Sequence, residues 1–132
     1  MPAGGARALV DEALRHVRTL SVAEAQALLG RDDVQFVDLR ESFELHGGGI
    51  PGALHAPRGL VEFWFDPEAP WAQPEFTRRD RRYVLYCAIG WRSALAARSL
   101  LEIGVAEVCH VGGGFEAWRA AGAPVAPVDA IE

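Results

Sequence analysis

The 132-residue sequence contains no lysine; all thirteen basic residues are arginine. That absence excludes a lysine Schiff base and the lysine of a phosphate-binding P-loop. Cysteine is scarce: Cys87 and Cys109 sit in unlike surroundings and do not form the pattern of a disulfide framework. No stretch approaches the ~20 apolar residues that a membrane-crossing helix needs, so no membrane partner is expected. Residues 1–20 carry Asp11, Glu12, Arg15 and Arg18 among their apolar positions and lack the core of a secretion signal, so a cytoplasmic location is the expectation. The net charge of −5 argues against nucleic acid as a main partner. His16, His46, His55 and His110 show no metal-ligand spacing, and no metal is expected.

What is present fits one domain with a core of its own. Leu9, Ala13, Leu14 and Val17 stand at helical spacing and predict a short amphipathic helix over 7–18, the body of an N-terminal extension spanning 1–19. The main domain is expected over 20–127 and a tail over 128–132. Ser21 and Glu24 have the spacing of a capping box, and Gly30 is a C-terminal stop, which predicts a helix over 22–29. The apolar, β-branched runs 34–39 and 83–86 predict buried parallel strands, with further strands at 53–56 and 107–111. A helical turn is expected at 41–46, broken by the glycines at 47–49. Pro67, Pro70 and Pro74 keep 60–77 mostly irregular. Helices follow at 93–103 and 115–121.

Strands alternating with helices predict an α/β fold: three layers, α/β/α, around a mostly parallel central sheet of about five strands. In such sheets the ligand site lies beyond the carboxyl ends of the strands. Asp38 to Arg40, Cys87, and the triple glycine at 112–114 each close a strand, so all three are expected at one end of the sheet.

Cys87 opens a loop, Ala88, Ile89, Gly90, Trp91 and Arg92, that runs into a helix at Ser93. Gly90 supplies backbone freedom for a tight curl. Successive N–H groups in such a curl converge on one point, and the positive end of the helix reinforces them. A sulfur held there favours the thiolate; comparable sites bring cysteine from about 8.5 into the range of roughly 3.5 to 7.5. Arg92 at the rim is expected to dock an anionic substrate in a forked contact. Asp38 and Arg40 are expected to brace the loop by hydrogen bonds and ion pairing.

The pattern Cys-x-x-Gly-x-Arg, followed by Ser and a helix, resembles the active-site loop of rhodanese-like sulfurtransferases. Three further stretches resemble that family's signatures in order: Val37 to Glu41, Gly49 to Ala53, and Val111 to Trp118. Together they run from about Ser21 to Val125. One position departs, because the family usually has His before Ile-Pro-Gly, where Gly49 stands; that histidine is not the nucleophile. The resemblance implies a sulfur exchange through Cys87. Its thiolate takes the outer sulfur of a small anionic donor such as thiosulfate, sulfite leaves, and the loop amides stabilise a persulfide. Cyanide or a thiol then removes the sulfur, and a partner protein in a sulfur relay is a further acceptor the resemblance allows. No metal or organic cofactor is implied.

Two other readings are carried forward. Some phosphatases of the same fold use Cys-x5-Arg; Cys87 to Arg92 is one residue shorter, which suits a smaller atom. A noncatalytic interaction module is the other, although inactive relatives typically lack the loop cysteine. Cys109, mid-strand between Val108 and His110, is read as a small core residue. The aromatic stretch Phe63-Trp64-Phe65, with Trp71 and Phe76, is either a cap over the sheet or a wall beside the loop with Trp91. The run Arg78 to Arg82 is read as a solvated loop at the pole opposite Cys87.

Overall fold

A computed structural model describes residues 4–130, with the side chains of 129 and 130 outside the description, so residues 1–3 of the extension and 131–132 of the tail lie outside it. The strands are β1 (Arg18–Leu20), β2 (Val34–Asp38), β3 (Leu54–His55), β4 (Arg82–Tyr86), β5 (Val108–Val111) and β6 (Asp129–Ala130). They form one sheet in the order β1-β5-β4-β2-β3-β6, with every neighbouring pair parallel. The helices are α1 (Gly5–Leu14), α2 (Val22–Gln26), α3 (Val61–Phe65), α4 (Trp91–Glu102) and α5 (Gly114–Ala120).

The period of two along the central strands divides the core into two layers. Tyr83 and Leu85 of β4, with Val37 of β2, pack against Val61 and Phe65 of α3 and Ala96, Ala97 and Leu100 of α4. Val84 and Tyr86, with Phe36, pack on the other face against Ala25 of α2 and Phe115 and Trp118 of α5. The α/β/α expectation therefore holds, with both faces of a parallel sheet covered as such sheets require.

The sheet extends further than the sequence reading places it. Arg18 and Thr19, assigned to the extension, pair with β5 as an edge strand, and Asp129 and Ala130, assigned to the tail, pair with β3. Elements of two or three residues carry no periodic signal, so their pairing is invisible in the sequence. α1 ends at Leu14, and its inward residues are Val10 and Ala13, packed on Ala94 of α4, whereas Leu9 is exposed. Ser21 and Glu24 do form the capping box, at 3.1 and 2.9 Å, but α2 closes as a regular helix at Gln26 and turns carry the chain to Gly30.

Candidate active site

Cys87 stands immediately beyond the last residue of β4, and the next turn of chain becomes the first turn of α4. Its Sγ accepts backbone N–H bonds from Gly90 at 3.2 Å and Ser93 at 3.4 Å, and lies 3.6 Å from Ser93 Oγ. Gly90 takes φ +98°, the left-handed region that a Cβ disfavours, and this turns its N–H back onto the sulfur. Trp91 and Arg92 open α4, so their N–H groups have no carbonyl one turn back to accept them.

The triple glycine is what allows the loop to hold this shape. Phe115 N–H donates to the Cys87 carbonyl at 2.8 Å and Glu116 N–H to the Ala88 carbonyl at 3.0 Å. The first turn of α5 thus draws the loop carbonyls outward and leaves the amides facing the sulfur. A Cβ on Gly114 would lie 2.6 Å from the carbonyl oxygens of both Cys87 and Ala88, so only glycine permits so close an approach.

Asp38 and Arg40 close β2 as a buried ion pair. Asp38 accepts from the Arg40 backbone N–H and Nε at 3.0 Å through Oδ1, and from Nη2 at 2.7 Å through Oδ2. The rest of the guanidinium donates to the carbonyls of Glu44 and Gly48, and its carbon sits 4.5 Å from the Phe115 ring centroid. Tyr86 adds its hydroxyl, which accepts from Ile50 N–H at 3.0 Å, and burial pushes the phenol well above its ordinary range. Gly49 has no room for a side chain, since a Cβ would lie 2.5 Å from the Tyr86 hydroxyl and would also meet Val128. A side chain at position 49, a histidine included, would therefore meet the Tyr86 hydroxyl, the Asp38 carboxylate and Val128.

Arg92 departs from expectation. Its guanidinium is forked onto Glu44, Nη1 to Oε1 at 2.7 Å and Nη2 to Oε2 at 2.9 Å, so the contact assigned to an anionic substrate is occupied by a carboxylate of the chain. Glu44 comes from the 3-10 turn Ser42–Gly47, where its carboxylate also accepts from Glu41 N–H. The Arg92 hydrogen bonds hold it down at a pKa of about 2. The cleft beside the loop, about 550 Å³, is lined by Arg40, Glu44, Ala88, Phe115, Glu116 and Arg119, among others. Arg119 lies 5.0 Å from the Phe115 ring centroid and has no carboxylate partner among the described residues.

The remaining candidates separate from the site. Cys109 is buried in the opposite core layer from Ser93, and burial pushes its thiol up to about 11, as a structural cysteine requires. Phe65 and Phe76 are buried against Tyr83, near the start of β4 and away from Cys87, so this part of the aromatic stretch caps the sheet. Phe63 and Trp71 stay exposed, edge to face. Trp91 is at the rim, with the Arg7 guanidinium of α1 over its ring at 5.4 Å. Arg79, Arg81 and Arg82 line a different cleft, at the amino ends of β2 and β4. Among the described residues no group of side chains is arranged to hold a metal, and no helix is long and apolar enough to cross a membrane.

Sequence reasoning missed His110 and Thr19. His110 Nδ1 lies 2.9 Å from Ser93 Oγ and His110 Nε2 lies 2.9 Å from Thr19 Oγ1. A polar side chain in the otherwise apolar β5 was the available signal, because a buried imidazole needs partners.

A family model, Rhodanese-like domain, matches residues 21–121. A sulfurtransferase of Allochromatium vinosum is 35% identical over 101 residues, 76% of this chain and 86% of the relative. The thiosulfate sulfurtransferase GlpE of Pseudoalteromonas translucida is 30% identical, over 83% of this chain and 92% of its own. Among solved structures, a protein of unknown function from Rhodopseudomonas palustris, described as a possible tyrosine phosphatase, superimposes with a TM-score of 0.88. It is 45% identical, over 96% of this chain and 99% of its own.

Proposed function

The chain belongs to the rhodanese-like domain family, and from that premise we propose that it is a sulfurtransferase moving a sulfane sulfur through a persulfide on Cys87. The observation that carries this reading is the Cys87 sulfur at a strand end, receiving two backbone N–H bonds at the start of a helix. Such donors stabilise a thiolate, and then the negative outer sulfur of a persulfide, without any charge that must move during reaction.

The exchange has two steps. The Cys87 thiolate attacks the outer sulfur of thiosulfate; the new S–S bond forms as the old one breaks, and sulfite leaves with the electron pair. The outer sulfur then lies beside the free N–H groups of Trp91 and Arg92. An acceptor nucleophile, cyanide or a thiolate, attacks that sulfur, and the Cys87 thiolate departs in its original form. Asp38 and Arg40 act through the 3-10 turn and Phe115, which hold the loop from below. Arg119, rather than Arg92, is the cation open to the anionic end of a donor or acceptor, because Arg92 is committed to Glu44.

A phosphatase reading is favoured by the description of the Rhodopseudomonas relative. The short Cys-x4-Arg loop and the occupied Arg92 weigh against it, since a phosphate needs a wider cradle and a free guanidinium. Thiocyanate formation from thiosulfate and cyanide, run beside hydrolysis of p-nitrophenyl phosphate, separates the readings. Sulfur transfer predicts thiocyanate, abolished in Cys87→Ser, and no phosphate release. Phosphate release without thiocyanate would establish the phosphatase, and neither activity would leave an interaction module.

A further inference from the structure

β5 presents Cys109 and Val111 to one core layer, so the alternation of the strand turns His110 to the other, beneath the first turn of α4. Its ring is 1% exposed, and burial lowers its pKa to about 4, which leaves a neutral imidazole at neutral pH. A neutral imidazole has one N–H donor and one bare acceptor nitrogen. Both positions are taken by hydroxyls: Ser93 Oγ at Nδ1 and Thr19 Oγ1 at Nε2, each 2.9 Å away. Ser93 Oγ in turn lies 3.6 Å from the Cys87 sulfur, and Thr19 is exposed on the edge strand β1. An unbroken row of exchangeable protons therefore joins a sulfur that is 1% exposed to the surface.

Each hydroxyl carries one proton, so the row has two self-consistent directions. With Cys87 as a thiol, S–H donates to Ser93, Ser93 to Nδ1, and Nε2–H to Thr19. With Cys87 as a thiolate, Thr19 donates to Nε2, Nδ1–H donates to Ser93, and Ser93 donates to the sulfur. The geometry points to Ser93, His110 and Thr19 as the proton path of Cys87, reversing as a unit when the thiol ionises. The thiol proton passes to Ser93 Oγ, the Ser93 proton to Nδ1, the Nε2 proton to Thr19 Oγ1, and the Thr19 proton to water. Nothing is oxidised or reduced; the ring ends in its other neutral tautomer, and the only charges created are the thiolate and the released proton. In the ionised direction the Ser93 hydroxyl becomes a third donor to the sulfur beside the two N–H groups.

Charge near the path does not set its direction. The residues next to His110 are Thr19 of β1, Leu85 of β4 and Ser93 of α4, all uncharged. The charged group acting at Cys87 is Arg92 of α4, with Glu44 of the 3-10 turn bound to it. His110 and Thr19 are thus positioning residues that act through Ser93.

The inference rests on the reading of Cys87 as a nucleophile that must ionise, but its test reads a ring tautomer and needs no sulfur donor. Full-length protein labelled with ¹⁵N-histidine reports by long-range ¹H–¹⁵N NMR which ring nitrogen carries the proton, and thiolate absorbance reports Cys87. The His110 resonance is identified by its loss in His110→Gln. Above the pH at which the thiolate appears, wild-type His110 is expected to be protonated at Nδ1. In Cys87→Ser, which cannot ionise there, it stays protonated at Nε2, and in Ser93→Ala the tautomer no longer follows Cys87. One tautomer in both wild type and Cys87→Ser, or a tautomer that still follows Cys87 without Ser93, would overturn the path.

Discussion

Glu44 holds both terminal nitrogens of Arg92, at 2.7 and 2.9 Å, directly beside the Cys87 loop. The pair joins the 3-10 turn after β2 to the first turn of α4, so a single carboxylate fixes the rim of the site and occupies its nearest cation. Glu44 titrates at about 2 in the folded chain against an ordinary value of 4.5. Its folded value is depressed, so the stability it contributes is full above about pH 4.5 and is lost as pH falls toward about 2. Glu44→Gln should therefore flatten the acid limb of denaturant midpoint against pH in that window. The same variant removes the charge that holds Arg92, and KM for thiosulfate should fall, by up to about fivefold if this half-exposed pair contributes ~1 kcal/mol. Initial-rate kinetics check the second outcome.

Arg119 has no carboxylate partner among the described residues and faces the cleft beside Ala88. Arg119→Ala should raise KM for thiosulfate several-fold, about 1 kcal/mol of binding, with kcat little changed. An equal fall in kcat with unchanged KM would place Arg119 in the chemical step instead of docking.

Gly114 combines φ +62° with backbone atoms of Cys87 and Ala88 at 2.6 Å from where a Cβ would stand. Left-handed backbone costs a non-glycine residue about 1–2 kcal/mol, and forced overpacking a further 1–3. Gly114→Ala should lose about 2–5 kcal/mol by denaturant unfolding, and its surviving folded fraction should transfer sulfur poorly because the amides no longer converge.

Asp38 is fully buried against Arg40. Asp38→Asn keeps the shape but leaves a buried guanidinium without its counter-charge, a change that costs about 3–5 kcal/mol. Asp38→Asn combined with Arg40→Met should recover part of that loss, and a double-mutant cycle measures the coupling. Additive losses would show that the carbonyls of Glu44 and Gly48 already satisfy Arg40.

What the sequence could and could not disclose follows from the range of each signal. Runs such as Tyr83 to Tyr86 announce a buried strand by their own composition, and a strand running into Cys87 before Gly90 already places a cysteine at the head of a helix. Ser21 and Glu24 satisfy each other within one turn, so their cap was legible too. β1 and β6 are short pairings made by the sheet and not by their own residues. The partner of Arg92 was illegible for the same reason, because Glu44 lies 48 positions away and only folding brings the two together. Thr19 and His110 are separated by 91 positions: a histidine in the apolar run of β5 signals that it needs partners, but nothing local says which residues supply them.

The measurement that bears most directly on the central claim is the intact mass of wild-type and Cys87→Ser protein after incubation with thiosulfate. The account predicts a gain of one sulfur atom, ~32 Da, in the wild type alone, removed again by cyanide. An unchanged wild-type mass with thiosulfate and with other sulfane donors, or an equal gain in Cys87→Ser, would contradict it.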